Sequence, residues 1–518
     1  MATSSHAFNY QFKSPLRVAV RFLFRSRETQ KERASRKDEE LREVQKQLEE
    51  SRSQTRQLGK QLDEQAKRIH ELEQELKALR EQPLRLPHDP KLPHHSFGAK
   101  MISMCCNLAV TVGFRAAERA LKIFWEYLGL TAKLPVFETI RTWLMRVGIA
   151  RLLLNKRKMK DGQVVWFVDH SCKVGREKVL AILGIRLEDL PPPGTPLKHE
   201  DLMTLLVAVG KDWKREDVAE QYDQLIKQMG VPLVINSDEA VELQEPALAL
   251  KNGKKTVLVQ TDPKHKLANI IKSVIGKDER FLEFQKRLGQ TRSAIQQTEL
   301  SHFTPPKQKT KARFMNLQNT IRWAAMVQWH LTNACSKARA EIEPQRMREK
   351  LGWLGSFRKD IASWQRCLDV VGATLKFINK QGLSAGASGR LKRELDNLDL
   401  CPTSREVAER TLAFIKESET KLRSLKQPDL RVPMSTEVLE SVFGRYKQLE
   451  RQHSHGGFTS LLASFATLLK PITPDEIKEA FEQVSTKEMK QWVKDQLGNT
   501  LQSKKNQAYA EYKFAVQT

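Results

Sequence analysis

The chain has 518 residues and a net charge of +26, with 88 lysines and arginines against 62 aspartates and glutamates. This length predicts two to four domains, and positive charge spread along most of the chain favours a polyanionic partner, most commonly nucleic acid. No apolar run reaches the length of a membrane span and no signal-peptide pattern opens the sequence, while six cysteines without a CxxC pair argue against a disulfide framework or zinc site and for a reducing compartment.

A coiled coil is predicted at residues 27–83, after a basic and apolar segment at 1–26. When Leu41 is placed at heptad position a, nine of the twelve a and d positions up to Leu79 are apolar. Charged and amide residues dominate the other positions, and Gly59 weakens the middle of the pattern. The pattern predicts helix pairing, which gives either a homo-oligomer or pairing elsewhere within the chain.

A helical DNA-binding region is predicted at residues 100–158, after a linker at 84–99 that is rich in proline and histidine. Two amphipathic helices joined by a short break have the layout of a helix-turn-helix, although an ordinary helical hairpin has the same pattern. The residues expected to face a DNA groove are Glu138, Thr139, Arg141, Thr142 and Met145, while Phe137, Ile140 and Leu144 pack inward.

A sheet core is predicted at residues 160–275. Five apolar runs have the length and β-branched content of buried strands: QVVWFVDHS, KVLAILGIRL, LMTLLVAVG, VPLVINSD and KTVLVQTD. A segment with helical period separates the third run from the fourth, and HKLANIIKSVI begins a helix after the fifth. The order β-β-β-α-β, followed by a further strand and helix, predicts an α/β core with a mixed sheet.

Long charged helices are predicted for residues 276–430, where the strand pattern is lost, and helices continue to the end of the chain. Tryptophans in this region are expected to fill a helical core, although an exposed one could stack on a nucleic-acid base. The region contains Trp323, Trp329, Trp353 and Trp364.

Three carboxylates stand out by position. Asp169 ends the first predicted strand, Asp238 ends the fourth, and Glu440 lies in the first turns of a helix that begins with STEVLESVFGRYK. Carboxylates brought together repel one another unless a cation lies between them, and an all-oxygen site suits Mg²⁺ or Mn²⁺. Two such ions can activate an attacking hydroxyl group and stabilise the leaving oxygen of a phosphodiester.

Two of these positions have competitors. Asp262 also ends a strand, but Asp238 comes first after the helix, and the pair Asp262 and His265 fits an accessory role as a structural tie or a DNA contact. Glu437 lies beside the predicted helix cap, which accounts for it. Glu440 instead shares a helix face with Lys447, a candidate phosphate contact.

The wording of four segments resembles the RNase H-like core of the DDE transposases. WFVDHSCKVG is similar to their first strand and VINSDEAVEL to the segment of their second aspartate. DPKHKLAN resembles the C/D-x-x-H motif of hAT-like transposases. EVLESVFGRYK resembles the glutamate helix of bacterial insertion-sequence transposases, in which a lysine follows the glutamate after six residues, here Glu440 and Lys447.

The resemblance covers roughly residues 160–275 and 430–460, and it reaches the superfamily but no single family. The tyrosine and arginine that precede the glutamate in one such family are replaced here by Pro433 and Thr436. The resemblance implies an RNase H-like α/β core interrupted by an all-α insertion at 276–430. Such a core would resume with the glutamate helix at 431–475, followed by a helical segment at 476–518 and preceded by the coiled coil and the helix-turn-helix-like region.

The function implied is that of a DNA transposase that binds the ends of a mobile element, cuts them and joins them to target DNA. Asp169, Asp238 and Glu440 would hold Mg²⁺ or Mn²⁺, two ions in all. Copies would pair through the coiled coil, in the cytoplasm and on the nucleoid. The alternatives are a non-catalytic DNA-binding protein derived from a transposase, and an RNase H-like repair nuclease. The expected DNA contacts are Thr139, Arg141, Thr142, Arg445 and Lys447.

Overall fold

The structure is a computed structural model that describes most of the chain. The described residues are 16–81, 88–160, 162–174, 177–210, 212–252, 255–308, 314, 317–333, 342–452, 458–498 and 501–517. They belong to two units, residues 1–88 and residues 89–518. No helix in these ranges is both long and apolar enough to cross a membrane.

The first unit contains one helix, α1 (Leu16–Glu81), which begins inside the segment predicted as a separate basic N-terminus. The apolar heptad side chains described on it are exposed to water, from 44% for Leu72 to 67% for Leu62. A single helix with an exposed apolar seam is compatible with a coiled coil. The pairing itself stays a prediction.

The second unit contains a five-stranded sheet in the order β3-β2-β1-β4-β7. The strands of this sheet are β1 (Val164–Val174), β2 (Glu177–Arg186), β3 (Met203–Gly210), β4 (Val234–Ser237) and β7 (Leu258–Thr261), while β5 (Lys251–Asn252) and β6 (Lys255–Thr256) form a separate two-stranded sheet. The first three form an antiparallel meander, whereas β4 and β7 run parallel to β1. The sheet is therefore mixed, as the order of apolar runs predicted.

Seventeen α-helices are described in the second unit. They are α2 (Ala99–Val112), α3 (Phe114–Tyr127), α4 (Phe137–Met159), α5 (Arg215–Met229), α6 (Val241–Ala249), α7 (Pro263–Ile275), α8 (Glu279–Ile295), α9 (Leu317–Thr332), α10 (Pro344–Leu351), α11 (Arg358–Gln381), α12 (Ala387–Asp396), α13 (Pro402–Arg423), α14 (Glu437–Gln452), α15 (Phe458–Ala463), α16 (Pro474–Gln483), α17 (Thr486–Leu497) and α18 (Leu501–Gln517).

Both faces of the sheet are buried, which explains why its strands are continuous apolar runs. Trp166 and its alternate neighbours pack on α5 and α6, against residues such as Tyr222. Val165 and Phe167 point to the other face, where they join a large core that includes α4, α14 and the helices after α7. Successive residues of a strand point to opposite faces of the sheet. Because both faces are buried, the strands do not alternate apolar and polar residues.

Helix α4 corrects part of the predicted DNA-binding surface. It packs against α2, α3, α16 and strand β3. Met145, expected to face a DNA groove, is only 8% exposed. Glu138 at the start of α4 is exposed, while Thr139, Arg141 and Thr142 are half-buried. A recognition helix could therefore use only the first turns of α4.

The elements described between α7 and α14 are helices joined by loops, with one isolated β-bridge between Leu383 and Val432. Helices α11 and α13 pack on α7, which joins this region to the sheet core. Trp323 and Trp364 are buried as expected for core residues, whereas Trp329 is 55% exposed.

Candidate active site

Asp169 on β1 lies near the residue that directly follows β4, Asp238. The register pairs Val165 with Val234 and Phe167 with Asn236, so two further residues along each chain bring Asp169 opposite Asp238. Paired residues of parallel strands point to the same face. Asp169 alternates with Val165 and Phe167 and so belongs to the face that packs against α14, while Oδ1 of Asp238 accepts a 3.0 Å hydrogen bond from the N–H of Ala240.

The strand position of Asp169 differs from the sequence prediction. Asp169 does not end β1, which continues to Val174 as one arm of a long antiparallel hairpin with β2. What ends beside Asp169 is the pairing with β4, because β4 stops at Ser237. The Asp169 carboxylate therefore lies where the pairing of β1 with β4 ends while its pairing with β2 continues.

Asp169 is held in an environment that opposes its ionisation. Burial raises the pKa of its carboxyl group to about 6, and the charges of Asp238 and, more weakly, Glu440 act in the same direction, while His170 and His265 act against them. Interactions of this kind require the groups to be near one another. Asp169 is therefore within electrostatic range of both other predicted carboxylates, Asp238 and Glu440, and of two histidines.

Helix α14 is tied to the sheet by contacts at its first residues. Thr436 donates two hydrogen bonds, from its backbone N–H and its hydroxyl group, to Oδ2 of Asp262, each 2.7 Å long. Asn236 of β4 donates a 2.8 Å hydrogen bond to the carbonyl oxygen of Pro433. These contacts fix the start of the helix to the ends of β4 and β7, and the N–H of Glu440 bonds to the Thr436 carbonyl oxygen one turn later.

Asp262 is fully buried and fully hydrogen-bonded. Besides Thr436, its Oδ1 accepts from the N–H of His265 at 3.0 Å and lies 3.2 Å from Nδ1 of the same residue. Burial by itself would raise the pKa of Asp262, but the hydrogen bonds from His265 and Thr436 together hold it below its usual value. Asp262 caps α7 and supports α14, so both of its oxygens already have partners. The metal position of Asp238 and the accessory role of Asp262 stay predictions.

A lysine occupies the space beside Glu440. Nζ of Lys264, in the first turn of α7, lies 2.6 Å from Oε2 of Glu440 and 3.9 Å from Oε1 of Glu437. Burial lowers the pKa of Lys264, but its partner Glu440 more than offsets this and the pKa is raised. The other oxygen of Glu440, Oε1, is buried and has no hydrogen-bond partner among the described residues.

The carboxylates are of the chemical kind that ligates a divalent cation. Carboxylate oxygens are the ligands that Mg²⁺ and Mn²⁺ prefer. A bound ion would offset the repulsion between like charges and the cost of the buried Glu440 oxygen that has no hydrogen bond. Within the described ranges, however, no three His, Cys, Asp or Glu side chains are already arranged to hold a metal ion. The Lys264 ammonium supplies the positive charge at Glu440 in this form.

Two further polar pairs border the site. Nε2 of His170 lies 2.7 Å from Oε1 of Glu242 in the first turn of α6, which orients the histidine next to Asp169. Glu437 accepts a 2.8 Å hydrogen bond from Asn379 of α11, and its N–H donates to the Ser435 hydroxyl group. Glu437 thus belongs to the start of α14, as its position beside a cap indicated.

Two predicted DNA contacts lie further along α14. Arg445 and Lys447 are exposed, and Arg445 also donates a 3.0 Å hydrogen bond to the carbonyl oxygen of Leu468. Thr139, Arg141 and Thr142 lie on a different helix, α4. A DNA role for all five residues stays a prediction.

The sequence analysis missed Lys264 and the pair His170–Glu242 as parts of one arrangement. The only local signal for Lys264 is that a basic residue in the first turn of a helix is opposed by the helix dipole, so it needs a compensating partner. Its partner Glu440 is distant in the sequence, and nothing in the sequence alone names it.

Comparisons with known proteins give no family. No protein-family model matches the chain, and no curated protein sequence matches it. Among solved structures the chain is similar to a Drosophila P element transposase strand transfer complex, with 11% sequence identity, 78% of this chain and 100% of that chain covered, and a TM-score of 0.37. A likeness at that TM-score carries no argument about fold or function, which therefore rest on the geometry of the chain itself.

Proposed function

We propose that this chain is a metal-dependent polynucleotidyl transferase with an RNase H-like core, and that it acts as a DNA transposase. The observation that carries the proposal is the parallel register of β1 with β4, which places Asp238, directly after β4, near the level of Asp169, with the charges of Asp238 and Glu440 acting on Asp169. The order β-β-β-α-β of the sheet and the helical region that precedes α14 support it.

The chain's own residues would divide the work. Asp169, Asp238 and Glu440 would hold the ions, and Asp262 with Thr436 would keep α14 in place. When bound, Mg²⁺ or Mn²⁺ would favour ionisation of an attacking water or 3′-hydroxyl group and stabilise the charge on the leaving oxygen. Lys447 and Arg445, exposed on α14, would contact DNA phosphates, supported by the general positive charge of the chain.

Copies would pair through α1, and the first turns of α4 would contribute Thr139, Arg141 and Thr142 to DNA binding. The phosphate contacts would position the DNA, and base contacts would select the element ends. The substrate class is duplex DNA, both the element ends and the target.

A second candidate is a DNA-binding protein that has a transposase-like core without its chemistry. The observation that favours it is the ion pair between Lys264 and Glu440, which takes one carboxylate out of a ligand set. This candidate keeps the positive charge and the helical surfaces, and it predicts DNA binding that is indifferent to divalent metal and to Asp169.

The test is Mn²⁺-dependent nicking of supercoiled plasmid by the full chain. We expect wild-type nicking and a loss of at least about 100-fold in Asp169→Asn, Asp238→Asn and Glu440→Gln, because each removes a ligand from the ions that stabilise the reacting phosphate. Glu437→Gln is the matched control, one helical turn before Glu440, and should keep its activity. Plasmid binding should be equal in all variants.

If the wild-type protein binds plasmid but does not nick it, and Asp169→Asn binds equally well, the second candidate is supported and the first is wrong. Nicking that survives Asp169→Asn would place the chemistry elsewhere.

A further inference from the structure

Lys264 is in a position that local structure does not favour. It is the second residue of α7, directly after the cap Asp262 and Pro263. The N-terminus of a helix carries partial positive charge, so a lysine there is unfavourable by the helix dipole alone. Its presence in the first turn therefore requires a reason outside α7, and the structure places that reason on α14.

The contact between Lys264 and Glu440 differs from an ordinary surface ion pair. The two side chains are only 28% and 27% exposed, and their charged atoms are 2.6 Å apart. Glu437 provides a second carboxylate at 3.9 Å, so the ammonium lies between two acids of the same helix turn. An ammonium held between two carboxylates occupies the kind of place that a small cation would take.

Glu440 is nevertheless incompletely satisfied. Lys264 bonds to Oε2, while Oε1 is buried without a hydrogen-bond partner among the described residues. A buried carboxylate oxygen without a donor is costly, and a second positive group or a metal ion would relieve it. The carboxylate that should complete the metal site is thus half neutralised by the protein's own cation.

We infer that the Lys264 ammonium takes the place of a cation at Glu440, so that Lys264 and a divalent metal ion compete for this carboxylate. The inference rests on the proposed function and adds a positioning and gating role for a lysine that the chemistry itself does not require. The metal site is complete only when Lys264 has left Glu440. Lysine suits this exchange because its compact charge is carried on a flexible four-carbon chain.

The nearest competing explanation is that any lysine near the site repels a metal ion through its charge. Lys266 separates the two explanations. It lies two residues further along α7 and its Nζ is 2.7 Å from Oε1 of Glu239, the neighbour of Asp238. Lys266→Gln removes the same charge from the same helix without releasing Glu440, so it is the matched control.

The experiment measures Mn²⁺ affinity of the full chain by isothermal titration calorimetry, without DNA. We expect Lys264→Gln to bind Mn²⁺ at least about fivefold more tightly than Lys266→Gln, since competition between two ligands of one group has a coupling of this order. Lys264→Arg keeps the positive charge and should stay close to wild type. In a Glu440→Gln background, the gain from Lys264→Gln should disappear.

Equal affinities for Lys264→Gln and Lys266→Gln, or a gain that persists without Glu440, would overturn the inference. Asp169→Asn distinguishes this from failure of the proposed function. If wild-type Mn²⁺ binding is lost in Asp169→Asn while the two lysine variants agree, only the competition is wrong. If no variant shows Mn²⁺ binding that depends on Asp169, the proposed metal site itself is wrong, and the inference falls with it.

Discussion

Asp169 should destabilise the metal-free protein, and its replacement by asparagine should make the fold more stable. The pKa of its carboxyl group is raised from 3.8 to about 6. At about 1.4 kcal/mol for each pKa unit, the ionised form costs the folded state about 3 kcal/mol. The side chain is only 16% exposed, so solvent screening removes little of this.

The sign of the pH dependence follows from which state binds the proton more tightly. The pKa of Asp169 is higher in the folded state than in the unfolded state. The contribution of Asp169 to the free energy of unfolding is therefore most favourable below pH 3.8, where the residue is protonated in both states. It falls as the pH rises through about 6 and is constant above. Asparagine has no charge to desolvate, so Asp169→Asn should gain about 3 kcal/mol at pH 8, about 1 kcal/mol at pH 4.5 and nothing from this source well below pH 3.8.

The assay is urea unfolding of wild type and Asp169→Asn in EDTA at pH 8, 6 and 4.5, followed for the unit of residues 89–518. Asp262→Asn is a control of opposite sign at the same level of the sheet. The pKa of Asp262 is lowered by its hydrogen bonds, so its stabilisation is present above its usual pKa and is lost as the pH falls through the lowered value. At pH 8 we expect Asp262→Asn to cost about 2 to 3 kcal/mol.

The reasoning is refuted if Asp169→Asn destabilises the protein at pH 8, or if its effect does not change between pH 8 and pH 4.5. It is also refuted if the two aspartate variants show the same sign. A constant offset between the curves is harmless, because asparagine and protonated aspartate differ slightly in packing at every pH.

Three other predictions concern packing and surfaces. Gly148→Ala in α4 should lower the unfolding free energy by about 1–3 kcal/mol, because its new methyl group would overlap a backbone carbonyl oxygen of α15; Gly372→Ala in α11 meets nothing within 4 Å and should be neutral or stabilising in the same urea titration. Glutamate at both Leu62 and Ile69, which are 67% and 57% exposed at successive a positions, should lower the oligomeric state seen by sedimentation, and an unchanged mass would contradict pairing through α1. Trp329→Ala should weaken single-stranded DNA binding by about 1–3 kcal/mol in a fluorescence titration if this exposed ring stacks on a base, and no change would leave it a surface residue.

The strands of the core could be predicted because a strand that is buried on both faces is a continuous run of apolar residues in the sequence. Their order along the chain and the mixed sheet followed from that pattern. The length of β1 did not, because its extension beyond Asp169 depends on antiparallel pairing with β2. Pairing of this kind belongs to two segments together, and neither segment shows it alone.

The DNA-binding surface predicted on α4 is partly wrong because a sequence does not distinguish buried arginines from exposed ones. Arg146 and Arg151 are 5% and 3% exposed. Arg146 donates to the carbonyl oxygens of Val484 and Phe481, and Arg151 pairs with Glu476. These partners lie more than 300 residues away, so a basic helix that is in fact central to the unit has the pattern of a nucleic-acid surface.

Asp238 and Asp262 have similar positions in the sequence, and they differ in their contacts, which the sequence does not show. Extending the registers of β1, β4 and β7 brings Asp169, Asp238 and Asp262 to one level on one face, and three ionised carboxylates there would repel one another. Asp262 is stabilised as an anion by the two hydrogen bonds from Thr436 and by His265. Asp238 instead accepts one backbone hydrogen bond, from the N–H of Ala240, and Glu440 is carried on the helix that Asp262 anchors. Under the proposed function, Asp169 and Asp238 would share a cation with Glu440, because both oxygens of Asp262 are occupied by the contacts that hold α14 and cap α7.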